Sequence, residues 1–247
     1  MQPIDAVLLD MDGTILTSIR AAERIWSAWA LRHGIDVDAF LPTIHGVRAV
    51  ETIRRLGLPG VDPEAEAAAI TQSEIDDTDG IEAIAGALEF LTALPGDRWA
   101  IVTSAPRALA LRRIEAAGLP VPEILVTADD VERGKPAPDC FRLAAERLGT
   151  TADRCLVMED SAAGIAAAQS AGASVLVVTA THQTPMDADP TAPVHAMIAD
   201  YRDLALERSS DGSITIRHIG SVAGRQARPC FLIASPSRSH PRSAAGV

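Results

Sequence analysis

Short runs of aliphatic and β-branched residues alternate with helical segments along most of this chain, and no other feature constrains its fold as strongly. The runs fall at residues 4–10, 99–103, 124–127, 155–158, 175–178 and, more briefly, 197–198. Helical patterns occupy 107–117, 138–148 and 163–170, with Gly118 and Gly149 placed where the first two stop. Mostly apolar runs alternating with helical segments predict an α/β fold with a parallel sheet covered on both faces. Aromatic residues make up only 3% of the chain, so the core has to come from Ala, Val, Leu and Ile.

One interval breaks the rhythm. A βα connection normally takes a few residues, yet roughly 70 residues of helical pattern (17–86) separate the first run from the second. They are read as an inserted helical subdomain. The core is then built from 1–16 and 87–205, with the cap at 17–86. Asp211-Gly212 lies between two apolar stretches and predicts a terminal hairpin over 206–218. Beyond it, 219–247 is rich in Gly, Ser, Pro and Arg and reads as a disordered basic tail. Phe231-Leu232-Ile233 is its one apolar patch, too short to define a domain.

The formal net charge of −11 argues against nucleic acid or an anionic membrane as partner. No apolar run reaches the ~18 residues of a membrane span, and the N-terminus shows no secretory pattern. Cys140, Cys155 and Cys230 are odd in number and widely spaced, which excludes a disulfide framework or a zinc spacing. A cytoplasmic protein, monomeric or weakly dimeric, is expected.

Chemistry is concentrated where the runs end. The first closes on Asp10, with Asp12 two residues on; the second closes on Thr103-Ser104; the fourth on Glu159-Asp160. Lys135, the chain's one lysine among 22 basic residues, lies in a loop before a helix. A parallel sheet gathers such ends on one edge, where its ligand crevice lies. Each has a plainer reading: Asp-Gly turns are common, and Thr103-Ser104 or Asp160-Ser161 could be helix N-caps. Taken together, they make a set of hard oxygen ligands suited to Mg²⁺, with an ammonium beside them. Within such a set a carboxylate can attack phosphorus, and the cations neutralise the transferring group.

At these residues the chain resembles the haloacid dehalogenase superfamily. The matching segments are Asp10-Met11-Asp12-Gly13-Thr14, Val102-Thr103-Ser104, Gly134-Lys135-Pro136-Ala137-Pro138-Asp139 and Met158-Glu159-Asp160-Ser161-Ala162-Ala163-Gly164-Ile165. All four occur in order, and the likeness covers about residues 3–205. The resemblance implies a Rossmann-like three-layer core with an inserted helical cap of the β-phosphoglucomutase type. It makes Asp10 the nucleophile and Asp12 the general acid/base. Thr103, Ser104 and Lys135 become phosphate-binding. Asp10, the Asp12 carbonyl and Asp160 become ligands of Mg²⁺, with Glu159 supporting, directly or through water.

The cap segments Glu23-Arg24-Ile25-Trp26-Ser27-Ala28-Trp29 and Ile44-His45-Gly46-Val47-Arg48 are similar to those of 2-deoxyglucose-6-phosphate, hexitol-phosphate and glycerol-phosphate phosphatases. The implied activity is hydrolysis of a small phosphorylated sugar or polyol, with His45 and Arg48 as cap contacts to substrate. The family's mutases carry a cap histidine where this chain has Ala22, so the resemblance favours hydrolysis over a sugar phosphomutase. A non-catalytic phosphometabolite-binding protein is the other alternative, but a binder has no need of a nucleophile. Trp26 and Trp29 read as cap core rather than a sugar platform. Arg107 reads equally as a cleft or a surface residue, and His182 and His195 carry no assigned role.

Overall fold

The structure, a computed structural model, describes residues 2–182, 196–210, 214–219 and 230–233. The chain opens with β1 (Gln2–Ile4), β2 (Ala6–Leu9) and β3 (Leu16–Thr17). It then enters the helices α1 (Ile19–Arg32), α2 (Val37–Phe40), α3 (Ala49–Leu56) and α4 (Pro63–Asp76). It returns through β4 (Glu82–Ala83) and α5 (Ala87–Ala93). An alternating run follows: β5 (Trp99–Val102), α6 (Arg107–Ala116), β6 (Ile124–Val126), α7 (Asp139–Arg147), β7 (Cys155–Glu159), α8 (Ala162–Ala171), β8 (Ser174–Val178) and β9 (Ala196–Ile198). β10 (Leu204–Arg208), β11 (Ile214–His218) and β12 (Cys230–Ile233) complete the order.

All four residues of β2 and of β5 are buried, as strands covered on both faces require. Alternation along them feeds two separate layers. Val7 and Leu9 pack with Ile101, Leu156, Met158 and Leu176 on one face. Ala6 and Leu8 pack with Ala100, Val102, Val157, Phe141 and Ala168 on the other. The six core strands run parallel in the order β6-β5-β2-β7-β8-β9. The chain direction across the sheet therefore reverses between β2 and β7, a doubly wound arrangement whose ligand crevice opens at that switch point.

The inserted helices have an apolar cluster of their own. Trp26, Trp29, Phe40, Ile44, Ile53 and Ile70 form it, and the rings of Trp26 and Trp29 meet edge to face at 5.6 Å. Trp29 and Trp26 thus serve cap packing. The helical pattern over 17–86 is interrupted after α1: Asp36 caps the short α2 from its side chain, and Pro42 lies in a one-turn 3₁₀ segment, Leu41–Thr43. Helix α5 starts only at Ala87, after Glu82 and Ala83 have paired with Thr17 and Leu16. This two-stranded neck carries the chain into and out of the cap.

A second sheet, ordered β1-β12-β11-β10, corrects two expectations. The run at 4–10 is not one strand. Asp5 breaks it, its carboxylate held by Arg154 and by the Thr150 hydroxyl at 2.7 Å, so β1 pairs away from the core sheet. The hairpin of β10 and β11 is joined by β12, which lies inside the segment expected to be disordered. Phe231 and Ile233 are buried with Ile4 and Ile216. The partner that orders β12 is the N-terminal strand, some 230 residues away in sequence, which no local pattern reveals. The remainder of that tail, 220–229 and 234–247, lies outside the described residues. Among the described residues no helix is long and apolar enough to cross a membrane.

Candidate active site

Strand register assembles the site. Leu9 stands opposite Ile101 on one side and Met158 on the other, so the residues just beyond, Asp10, Val102 and Glu159, come side by side at the switch point. The Asp10 amide continues the ladder to the Met158 carbonyl at 3.0 Å. Lys135 reaches the same point from the loop before α7. Its ammonium bonds Asp10 Oδ1 at 2.5 Å, Glu159 Oε1 at 2.7 Å and the Val102 carbonyl at 3.1 Å, over the ring of Phe141. It is 1% exposed. A compact ammonium with three donors fits this socket in a way that a planar guanidinium does not.

Glu159 is fully engaged. One oxygen holds Lys135; the other accepts from the Asp160 and Ser161 amides, each at 2.8 Å, and from the Ser161 hydroxyl. A Cβ on Gly164 would stand 1.5 Å from Glu159 Oε1, so the glycine makes room for that carboxylate. Gly13, at φ +89°, does the same for Asp160: a Cβ there would lie 2.0 Å from Oδ2. Asp160 accepts from the Thr14 hydroxyl at 3.3 Å. Of the helix-cap alternatives, one holds, because the Ser161 hydroxyl accepts from the Gly164 amide at 3.1 Å. Ser161, not Asp160, caps α8, and α6 begins at Pro106 with no side-chain cap. The Thr103 hydroxyl accepts from the Ala105 amide at 3.0 Å, which leaves its hydrogen to donate toward the cleft.

Three carboxylates face one ammonium here. Ligand oxygens of Asp10, Glu159 and Asp160 lie within 4.8 Å of one another. Burial first, and then the Glu159 charge, push the Asp10 carboxyl up to about 7. The same two causes hold Asp160 well above the usual carboxylate range. Burial opposes the Lys135 charge, but Asp10 and Glu159 outweigh it and keep the ammonium above its usual range. Oxygen donors crowded without enough positive charge suit a hard divalent cation. With Glu159 occupied, Asp10 and Asp160 are the side chains with oxygen free to hold it.

Asp12 points the other way, toward the cap. Its Oδ1 accepts from the Ser18 hydroxyl at 2.6 Å and its Oδ2 from Arg113 at 2.9 Å. A pocket opens beyond it, lined by Trp26, His45, Thr71, Glu74 and Leu109 together with Asp10, Thr103 and Arg113. Burial lowers the His45 imidazole below its ordinary range, so it faces this pocket neutral.

A family model of haloacid dehalogenase-like hydrolases matches residues 4–172, the stretch holding every core group just described. The chain belongs to the haloacid dehalogenase-like hydrolases. It is 37% identical over 214 residues to hexitol phosphatase A of Escherichia coli (strain K12), spanning 85% of this chain and 97% of that protein. It is 26% identical over 234 residues to 2-deoxyglucose-6-phosphate phosphatase 1 of Saccharomyces cerevisiae, covering 86% and 94%. A solved hydrolase from Pseudomonas syringae superposes with a TM-score of 0.64 at 28% identity, over 72% of this chain and 85% of that one. The resemblance read from the motifs thus extends to the sugar and polyol phosphatase branch.

Two expected contacts of this hydrolase make bonds between cap and core. The Ser104 hydroxyl donates to the Gly46 carbonyl of the cap at 3.0 Å, so it joins cap and core, while the residue still lines the pocket beside Asp10 and Thr103. Arg48 does not enter the pocket. Its guanidinium donates to the carbonyls of Val131 and Glu132, at 2.7 and 3.0 Å, and lies against Gly134 beside the Lys135 loop. Arg107 turns to Asp130 and the Leu125 carbonyl, on the surface. His182 lies near the site, with Nε2 3.0 Å from the Asp160 carbonyl.

Three residues escaped the sequence reading: Ser18, Glu74 and Arg113. The last two leave a trace. Arg113 shares the buried face of α6 with Leu109, Ala110 and Ile114, and Glu74 shares that of α4 with Ala67 and Ile70. A charged residue on an apolar helical stripe signals a buried partner.

Proposed function

We propose that this chain is a Mg²⁺-dependent phosphatase that hydrolyses the monophosphate ester of a small sugar or polyol through an aspartyl phosphate on Asp10. One observation carries the reading: the register places the Asp10 carboxylate against Lys135, while Asp12, two residues on, turns to the pocket where a leaving alcohol would lie. An Asp10 oxygen attacks phosphorus and the ester P–O bond breaks. Asp12 gives its proton to the departing alcohol oxygen. Asp12 then takes a proton from water as the water attacks phosphorus, the bond to Asp10 breaks, and inorganic phosphate leaves. Lys135 and the Thr103 hydroxyl hold phosphoryl oxygens throughout. Asp10 and Asp160 would hold Mg²⁺, which supplies charge to neutralise the transferring group. Cap-to-core bonds from Ser104, Arg48 and Arg113 hold the cap over the cleft, where water is excluded during transfer.

The pocket chemistry supports a neutral hydroxylated tail. Arg113 is the one Lys or Arg among the described residues lining it, and it already has two carboxylate partners. A second phosphate or a carboxylate on the substrate would find no free cation. Hydroxyls would find Thr71, Glu74 and the neutral His45. Ala22, also in the lining, offers no proton donor for returning phosphate to a sugar. The test is phosphate release over a panel of sugar, polyol, nucleotide and bisphosphate esters. Expected are a preference for polyol and sugar monophosphates, loss in EDTA, recovery with Mg²⁺ and weak recovery with Ca²⁺. Full activity in excess chelator contradicts the metal role, and no release from any ester contradicts the activity.

A further inference from the structure

The Asp12 carboxylate is fixed at both oxygens by groups that answer to the cap. Ser18, which holds Oδ1, stands directly after β3, where the chain passes into the cap, at the head of α1. Arg113, which holds Oδ2, belongs to the core helix α6, but its other nitrogen bonds Glu74 Oε1 at 3.1 Å. Glu74 lies near the end of α4, the last cap helix before the chain returns. Both connections of the cap thus end on one carboxylate. The Arg113 and Glu74 side chains are only 6% and 8% exposed, so neither is a solvated surface pair. Arg113 Nε is buried without a hydrogen-bond partner among the described residues. This guanidinium is spent on Asp12 and Glu74 rather than on general packing.

We propose that Arg113 is a positioning residue that makes the placement of Asp12 depend on the seating of the cap. A planar guanidinium can hold two carboxylates at a fixed spacing, and it is the fork, more than the charge, that transmits position. With α4 seated, Glu74 fixes the guanidinium, and the guanidinium fixes the plane of Asp12 toward the ester oxygen. With α4 displaced, Arg113 loses one anchor and Asp12 loses its set orientation. Proton transfer to the leaving group is then available only under a closed cap. This rests on the reading of Asp12 as the group that protonates the departing alcohol.

The experiment compares phenyl phosphate with p-nitrophenyl phosphate. They are alike in shape, but phenolate needs a proton on departure far more than p-nitrophenolate does. The quantity read is kcat/KM, which reports steps through alcohol release and leaves out hydrolysis of the phosphoenzyme. Arg113→Met alone leaves the buried Glu74, and the half-buried Asp12, without a counter-charge and is expected to fold poorly. The decisive variant is therefore the double substitution Arg113→Met with Glu74→Met, which removes the guanidinium and its cap partner together; Glu74→Gln serves as a milder second variant. In the double variant the phenyl to p-nitrophenyl ratio of kcat/KM should fall about tenfold or more, since misplacing a positioned group by an ångström costs ~10²-fold. Glu74→Gln should shift the ratio the same way by less. A purely structural role lowers the amount of folded enzyme and hence both values equally. An unchanged ratio in both variants, with wild-type protein active on both esters, overturns the positioning role alone. Wild-type protein that releases phosphate from neither ester overturns the phosphatase reading, and this inference with it.

Discussion

The two sides of the cleft are built on different principles. On the core side, Asp10, Lys135, Glu159 and Asp160 stand on or next to strand ends, and the sheet register alone decides that they meet. Both oxygens of Glu159 and the Lys135 ammonium are held by fixed partners there, which leaves free oxygen only on Asp10 and Asp160 among these carboxylates. On the cap side the groups come from helices with their own apolar cluster, and they reach the core through a few long side chains: Arg113 to Glu74, and Arg48 to the carbonyls of 131 and 132. A rigid pole suits chemistry common to every phosphomonoester. A pole seated by separable contacts suits selection and closure. If this division is right, substitutions on the two sides should differ in kind as well as in size.

The largest effect is expected at Asp10. Asp10→Asn keeps the shape and removes the proposed nucleophile, so turnover on every ester should fall on the order of 10⁶-fold, as for loss of other covalent nucleophiles. Steady-state phosphate release on a polyol phosphate and on p-nitrophenyl phosphate checks it. A loss confined to one substrate would erase the distinction between the poles.

Next comes Lys135, where the core side should show its dependence on charge pairing. Lys135→Met leaves Asp10 and Glu159 buried without their ammonium, at a cost of about 3–5 kcal/mol of stability. Denaturant titration without Mg²⁺ measures it. A change below about 1 kcal/mol would show the core site to be less tightly coupled than its geometry indicates.

Phe231→Ala tests whether the second sheet stands apart from both poles. Truncating this buried ring should cost about 3 kcal/mol of stability. Substrate ranking, read as relative kcat/KM across the ester panel, should stay as in the wild type. A changed ranking would link that sheet to the cleft.

The smallest effect divides the cap. His45→Ala should lower kcat/KM on the preferred sugar or polyol phosphate by about tenfold, the worth of one hydrogen bond, and spare p-nitrophenyl phosphate. Arg48→Ala should instead lower both alike, because it removes contacts between layers rather than contacts to substrate. The reverse pattern would return Arg48 to the pocket.

The same division governs what the sequence shows. The core groups are legible because each is tied to a strand end by a short motif, and the glycines that crowding demands, Gly13 and Gly164, travel in those motifs. Six core strands could be located because each contains a short apolar run. The cap bonds are not legible: Arg48 and Arg113 look alike as helical arginines until packing decides that one meets backbone carbonyls and the other two carboxylates. For the same reason β12 escaped notice, since four residues of apolar character become a strand only when Gln2–Ile4 lies beside them.

The central claim is that the core pole carries the covalent chemistry through Asp10 while the cap pole only selects and closes. Its most direct measurement is acid-quench trapping of the phosphorylated enzyme during turnover, followed by peptide mapping of the labelled residue. The account predicts one labelled peptide, spanning Asp10, that disappears in Asp10→Asn and persists in His45→Ala. A labelled peptide that excludes Asp10, or label retained in Asp10→Asn, would contradict it.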